Sequence, residues 1–552
     1  GGWCPGFGVA IITQSGMLSS DITMTQRSLP ITHMISVGNQ CSIAIEDLVE
    51  ILCENPKIKA IGVHIEGIKD VNKFHNAALK CLKENTPIVA LKTGSSKIGS
   101  NIATTHTGSL SGEDSLYEAL FERTGVIRVR NPIQFLETLK FLCIAGVPKA
   151  NSLIAFTCSG GGAAMIADYS EEIGITLSKY KDGGEKHISN LLPNIATVSN
   201  PLDYTTPIWG MPEKTYPVFL AAIKNSKAAA ALLLQDYPAE GLEESKMFYL
   251  NDAKAFIQAA NETKIPAAIC NTFPENMPRE TREFFISLGV APVQGIEEAL
   301  TTIKLASNYS KKRSDIQTTT PKNLVNVPRT TSSHFLTEAD SKDLLRKIGV
   351  KVPKGITVSK KYITNNEIQL IYPVALKFLS KTIIHKSESE AVKINIETYT
   401  ELKAKINAMY VHLKDSLKYE FLDSFLIEQM QEVPIVEMLI GIKSDQQFGY
   451  SLLLGSGGIQ AEILNDTVTL LLPCTKAEII NGIKSLKLYA LMKGFRGQKE
   501  IDLVKLSSTI YQIALFFERN KSKYSALEIN PLFVYQNGNC AVDALISSRV
   551  TT

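Results

Sequence analysis

No run of about 18 or more apolar residues occurs anywhere in the 552-residue chain, which excludes a helical membrane span. Its opening, Gly1-Gly2-Trp3-Cys4-Pro5, has neither an initiator Met nor a basic stretch leading into an apolar one. No secretory leader is read there, and the start is expected to be the edge of a fragment. The nine cysteines are scattered, with no CxxC pair and no Cys/His ligand spacing, so they predict reduced thiols in a cytoplasmic protein rather than a disulfide framework or a zinc module. Charge of one sign is missing too. Fifty-eight basic against 55 acidic side chains give a formal +3, so nothing at the level of the whole chain demands a nucleic acid or an anionic membrane. With only 35 Gly and 23 Pro, the chain is neither collagen-like nor of low complexity. Any anion chemistry must be local.

What is present is length and alternation. At roughly 150 residues per domain the chain holds three or four units. Short apolar runs alternate with helical patterns, as in parallel α/β sheets covered by helices on both faces. Gly8 to Ile12, Ala60 to Ile65 and Pro87 to Leu91 read as buried strands, with helical periodicity from Ile45 to Asn55. A second cycle begins at Ser152 to Thr157 and continues through Ala229 to Leu234 and Ile265 to Ile269. Residues 308–334 are polar, rich in Thr, Ser and Lys, and aperiodic, which predicts a linker. Beyond them the texture is that of an α+β unit with a mixed sheet: a helix over Glu338 to Ile348, strands near Val374 to Phe378, Phe425 to Gln429, Val436 to Ile442, Tyr450 to Leu454 and Phe533 to Tyr535, and helices at Lys476 to Ser485 and Leu503 to Arg519.

Both early cycles run from a strand into a small-residue turn, Thr13-Gln14-Ser15-Gly16 in the first and Cys158-Ser159-Gly160-Gly161-Gly162 in the second. A helix starting there presents unpaired amides and the positive end of its dipole, so Ser15, Gly16, Ser159, Gly160 and Gly161 are candidate phosphate binders. A plain helix N-cap is the simpler reading of either turn. His106 sits among small and hydroxylic residues, Thr104-Thr105-His106-Thr107-Gly108-Ser109-Leu110-Ser111-Gly112. An imidazole so placed suits a nucleophile that takes up phosphate, provided a carboxylate steadies its cation; a surface-loop histidine is the alternative. Glu66, in His64-Ile65-Glu66-Gly67 at the end of an apolar strand, is the candidate carboxylate.

In the last unit Lys377 lies within an otherwise apolar strand, where a buried ammonium needs an anion. Ile383-Ile384-His385-Lys386-Ser387 follows shortly after. Glu528-Ile529-Asn530 and Val542-Asp543 place carboxylate and amide oxygens on adjacent strands, hard ligands suited to a Mg²⁺ that bridges nucleotide phosphates. A strand lysine, then the hinge Ile427-Glu428-Gln429-Met430, then Glu-x-Asn and Asp is the order an ATP-grasp nucleotide site requires.

On these residues the chain resembles the NDP-forming acyl-CoA synthetases, the superfamily of ADP-forming acetate-CoA ligase and succinyl-CoA synthetase. The stretches that carry the resemblance are Ser36-Val37-Gly38-Asn39, His64-Ile65-Glu66-Gly67, Leu91-Lys92-Thr93-Gly94 and Thr105 to Leu110, with Ser199-Asn200-Pro201-Leu202-Asp203 matching an Asn-Pro-x-Asp element. The resemblance implies an α/β protein with two tandem flavodoxin-like domains, residues 1–146 and 147–325, followed by an ATP-grasp module over residues 326–552 in two subdomains. It implies reversible conversion of acyl-CoA, ADP and phosphate to carboxylic acid, CoA and ATP, through an acyl phosphate and a phosphohistidine. His106 would be the phosphohistidine, Glu66 its stabilising carboxylate and His385 a second relay. Glu528 would steady the phosphohistidine at the ATP site. Lys377 would contact ATP phosphates, Glu428 and Glu437 the adenosine side, and Asn530 and Asp543 the Mg²⁺. The family's CoA-binding domain has no counterpart here, so a separate subunit or an excised N-terminal region is expected to supply it, and a homo-oligomer, a dimer first, is expected.

Two departures stand out. Lys386-Ser387-Glu388-Ser389-Glu390-Ala391 replaces the family's Lys-Ser-Asp and glycine pair, and Leu470 stands where an Arg is usual. A regulatory acyl-CoA-sensing relative, or an ATP-grasp ligase of another carboxylate, are the competing readings.

Overall fold

The computed structural model describes residues 2–3, 6–96, 113–238, 241, 243–328, 332–365, 369, 371–380, 391–414, 424–458, 466–494 and 499–549. His106 and His385 lie outside the described residues. The chain divides into two compact units, residues 1–114 with 121–321 and residues 115–120 with 322–552.

The first unit is built on two parallel sheets. The first contains β1 (Gly2–Trp3), β2 (Gly8–Thr13), β3 (Pro30–Ser36), β4 (Ile58–Ile65), β5 (Ile88–Lys92) and β6 (Ile127–Val129), in the order β1-β3-β2-β4-β5-β6. The second contains β7 (Ser152–Thr157), β8 (Thr176–Leu177), β9 (Leu202–Asp203), β10 (Ala230–Leu234), β11 (Ala267–Asn271) and β12 (Ala291–Gln294), in the order β12-β11-β10-β7-β8 with β9 on β7. Apart from the two-residue edge strand β1, the first sheet starts at the inner strand β2 and the second at β7, and each goes to one side, then returns and proceeds to the other. This is the 2-1-3-4-5 doubly wound order of flavodoxin-like folds, whose ligand crevice opens where the winding reverses. Every residue of β2, β5, β10 and β11 is buried, as strands covered on both faces must be.

A single apolar cluster runs through both sheets, from Val9 and Ile11 to Leu153, Leu232 and Val293. The helix Pro132–Ile144 supplies Phe135, Leu136 and Leu139 to that cluster and packs on the helix Ile296–Thr318. Gly62 makes its approach possible, since a Cβ there would stand 2.6 Å from Phe135 Cζ and 2.7 Å from Leu139 Cδ1. The same helix carries a buried charge group: Glu137 accepts from Arg27 Nη1 at 2.7 Å, from Lys140 Nζ at 2.9 Å and from the Gln294 amide at 3.2 Å.

The predicted linker over 308–334 is corrected over residues 308–318. The helix Ile296–Thr318 runs through it, because Tyr309 and Ile316, seven positions apart, fall on one buried face while Arg313 donates to the carbonyls of Leu82 and Lys83. Of the polar residues between them, Lys311, Ser314 and Asp315 are exposed and form the helix's outer face.

The second unit contains β13 (Ser333–Phe335), β14 (Gly355–Ser359), β15 (Val374–Phe378), β16 (Val392–Ile396), β17 (Ser424–Gln429), β18 (Val436–Asp445), β19 (Gly449–Ser456), β20 (Thr467–Leu471), β21 (Tyr524–Tyr535), β22 (Gly538–Ala541) and β23 (Ala544–Arg549). They form two sheets, β13-β23-β21-β18-β19-β20 with β22 on β21, and β14-β17-β15-β16. The expected mixed sheet is also corrected, for every described pairing in this unit is antiparallel. Connections account for two of these pairings: Gln446, Gln447 and Phe448 link β18 to β19, and Gln536 and Asn537 link β21 to β22. Links this short make hairpins, whereas a parallel return needs about a dozen residues or more. The helices Lys476–Ser485 and Leu503–Arg519 cover the larger sheet, and Tyr399–Lys414 the smaller.

Candidate functional site

A cavity of about 250 Å³ opens between the two antiparallel sheets of the second unit. Ala375, Lys377 and Glu428 line it from the smaller sheet, Asn530 and Phe533 from β21, and Asp543 from the link between β22 and β23. The register accounts for the first three: Ala375 pairs with Glu428, and Lys377 lies two residues further along β15 on the same face. Thus Lys377, Glu428, Asn530 and Asp543 come together. Glu437 is opposite Phe533 in the β18–β21 ladder and so shares its face, but does not line the cavity. Glu528 precedes Asn530 by two positions and is exposed.

Lys377 is buried and its ammonium is enclosed by oxygen: Glu338 Oε1 at 2.6 Å, the Val542 carbonyl at 2.7 Å and Glu428 Oε2 at 3.2 Å. Burial alone would lower its pKa, but Glu338, Asp543 and Glu428 together hold it above the usual lysine value. Glu338 and Lys342, on the helix Glu338–Lys347, belong to this cluster and were not singled out in the sequence. The only signal for them was the lysine in an apolar strand, which requires an anion without saying where it comes from.

Among the described residues no group of three His, Cys, Asp or Glu side chains could hold a metal ion. The donors that face the cavity, the Asn530 amide and the Asp543 carboxylate, are hard oxygens. They fit a Mg²⁺, which is usually held by one or two carboxylates with the rest of its shell from phosphate and water. Asn530 is oriented by the Gly458 amide, which donates to its Oδ1 at 2.9 Å.

In the first unit the winding of the first sheet reverses between β2 and β4. Ser15 caps the helix Gly16–Thr23, its Oγ accepting from the Leu18 amide at 3.2 Å, and Gly16 is exposed. Gln14 ties the two strand ends together, its Oε1 accepting from the amides of Glu66 at 2.6 Å and Gly67 at 3.0 Å. Glu66 is half-buried beside it. Under this edge His64 is held between Thr13 Oγ1 at 3.0 Å and Thr93 Oγ1 at 3.1 Å, and burial pushes its pKa down to about 4. Lys92 is brought down to about 8, again by burial. Residues 93–96 follow β5 at the same edge.

At the corresponding place in the second sheet, Ser159 caps the helix Gly160–Ile173, its Oγ accepting from the Gly162 amide at 3.3 Å. A Cβ on Gly160 would be 3.6 Å from Asp203 Oδ2, so a carboxylate already faces this helix start. Asn200 ties β7 to the residue after β8: Oδ1 accepts from the Ala155 amide, and Nδ2 donates to the Leu153 and Ser178 carbonyls. The Asn-Pro-x-Asp element is therefore partly a strand fastener.

Residues 6–142 match the family described as succinyl-CoA ligase like flavodoxin domain, and residues 329–547 the ATP-grasp domain. An ADP-forming acetate–CoA ligase of Methanocaldococcus jannaschii is 28% identical over 98% of this chain and 78% of its own. The beta subunit of the ADP-forming acetate–CoA ligase I of Pyrococcus furiosus is 31% identical over 38% of this chain and 90% of its own. A solved structure of the dinucleotide forming acetyl-coenzyme A synthetase 1 of Ca. Korarchaeum cryptofilum, in complex with phosphate and ADP, shares the fold at a TM-score of 0.50 and 24% identity over 57% of this chain and 68% of its own. With both of its described units matched in this way, the chain belongs to the NDP-forming acyl-CoA synthetases, the family of the ADP-forming acetate–CoA ligases.

Proposed function

We propose that the chain is an ADP-forming acid–CoA ligase whose phosphate is carried by His106 and whose nucleotide binds in the cavity of the second unit. The observation that supports this most is the convergence of Lys377, Glu428, Asn530 and Asp543, from two sheets, on one cavity. Phosphate attacks the acyl thioester, releasing CoA and leaving an acyl phosphate. The imidazole of His106 then takes the phosphoryl group and frees the carboxylate, and ADP takes it in turn to give ATP. Glu66 would accept from the second ring nitrogen and stabilise the imidazolium. The amides and hydroxyls at Ser15 and Gly16, and at Ser159, Gly160 and Gly161, would hold phosphate.

In the cavity Lys377 would orient the nucleotide phosphates with Glu428 on the adenosine side, and Glu437, which does not line the cavity, would join it from β18. Asn530 and Asp543 would hold Mg²⁺, which when bound neutralises phosphate charge. Glu528 and His385 would act on the phosphohistidine as it reaches the nucleotide. The domain limits 1–146, 147–325 and 326–552, a CoA-binding domain supplied separately, a homodimer and a cytoplasmic setting belong to the same proposal.

Coupled detection of ATP made from acyl-CoA, ADP and phosphate, with and without an added CoA-binding domain, tests the activity. Lys377→Met is expected to lower kcat/KM for ADP by roughly 30-fold or more, since losing one partner of a buried charge pair costs about 2–5 kcal/mol. Unchanged kcat/KM would remove Lys377 from the site. Nucleotide binding without turnover would favour the regulatory reading.

A further inference from the structure

The nucleotide cavity has a second lysine behind its wall. Lys342 does not line the cavity, yet its ammonium touches the same three oxygens as that of Lys377. Glu338 Oε1 is 2.7 Å from Lys342 and 2.6 Å from Lys377. Glu428 Oε2 is 2.6 Å and 3.2 Å away, and the Val542 carbonyl 2.6 Å and 2.7 Å. Lys342 also donates to Glu428 Oε1 at 2.8 Å. All four side chains are buried, so water screens their interactions little.

Two ammonium groups thus share Glu338 and Glu428 as acceptors, one ammonium on the cavity side, where Asp543 also acts on it, and one behind. A phosphate entering the cavity competes with Glu338 and Glu428 for Lys377. If Lys377 were their sole counter-charge, turning to phosphate would strand two buried carboxylates at a cost of several kcal/mol. With Lys342 in place, both carboxylates and the Val542 carbonyl keep a cation on their far side.

We propose that Lys342 is a positioning residue of the nucleotide site: a resident counter-cation that fixes Glu338, Glu428 and Val542 and so releases Lys377 to the nucleotide phosphates. This rests on the reading of the cavity as the nucleotide site. It assigns no chemistry to Lys342 itself, which acts only through Lys377 and Glu428.

Calorimetric titration of the full chain with Mg-ADP tests it, together with the KM for ADP and for acyl-CoA. Lys342→Met leaves two carboxylates on Lys377 alone and is expected to weaken ADP about tenfold or more, with the KM for acyl-CoA unchanged. Adding Glu338→Gln to Lys342→Met restores one cation to one carboxylate and is expected to recover most of that loss. Glu338→Gln alone frees Lys377 and is expected to bind ADP as tightly as the native chain or more tightly. This last variant also keeps the test alive if Lys342→Met fails to fold. Three results would overturn the proposal: native ADP affinity in Lys342→Met, no recovery in the double variant, or a loss in Glu338→Gln as large as that in Lys342→Met. Failure of the native chain to bind Mg-ADP would instead overturn the nucleotide-site reading.

Discussion

A histidine between two threonines under a sheet edge has no water to share its charge. His64 is placed so, 3.0 Å from Thr13 Oγ1 and 3.1 Å from Thr93 Oγ1, and burial takes its pKa down to about 4, helped by Lys92. The folded chain therefore binds this proton less readily than the unfolded chain, whose histidines titrate near about 6.5. Its contribution is whole above that value and is lost as pH falls toward about 4. Urea unfolding at pH 7 and pH 4.5 is expected to show the native chain losing about 2–3 kcal/mol more than His64→Gln over this interval. Equal losses would mean that His64 titrates normally. At this scale the sequence disclosed identities rather than partners. Ser15 and Ser159 were legible as helix starts because capping is local in sequence. Lys342 was not, since a Glu and a Lys four apart on a helix look like an ordinary exposed pair until Glu428, 86 residues away, closes the cluster.

Among the elements, the helix Pro132–Ile144 shows how apolar and charged packing are combined. It presents Phe135 and Leu139 to Gly62 on β4, and also places Glu137 where Arg27, Lys140 and the Gln294 amide meet. Removing one member of such a group leaves its partners charged and buried, which costs about 3–5 kcal/mol. Glu137→Ala is therefore expected to lower the unfolding free energy of the first unit by that amount, read by urea titration with Trp209 fluorescence. A loss below about 1 kcal/mol would show that solvent reaches Arg27 and Lys140. The strand and helix spans set by apolar periodicity, Ser152–Thr157, Val374–Phe378 and Leu503–Arg519 among them, coincide with the observed elements. Two misreadings share a cause. The end of Ile296–Thr318 looked like linker because its residues after Ser307 bury only Tyr309 and Ile316 and are otherwise polar. The antiparallel pairing of the second unit was hidden because strand strength says nothing of direction, which the hairpin links decide.

For the whole molecule, two flavodoxin-like sheets sharing one apolar cluster make up the first unit, and a cavity between two antiparallel sheets the second. The fold class was readable because buried parallel strands and a strand lysine followed by a hinge leave distinct patterns. The acid was not readable, because pocket contour depends on packing that no motif encodes. The proposed function sets acyl phosphate chemistry in the first unit and nucleotide chemistry in the second, and gives transfer of the phosphoryl group to the His106 side chain. Incubation with ATP labelled at the γ-phosphate, followed by acid and alkali treatment of the denatured protein, tests this most directly. The native chain is expected to take up acid-labile, alkali-stable label, and His106→Ala to take up none. Label retained in His106→Ala, or absent from the native chain, would contradict the account.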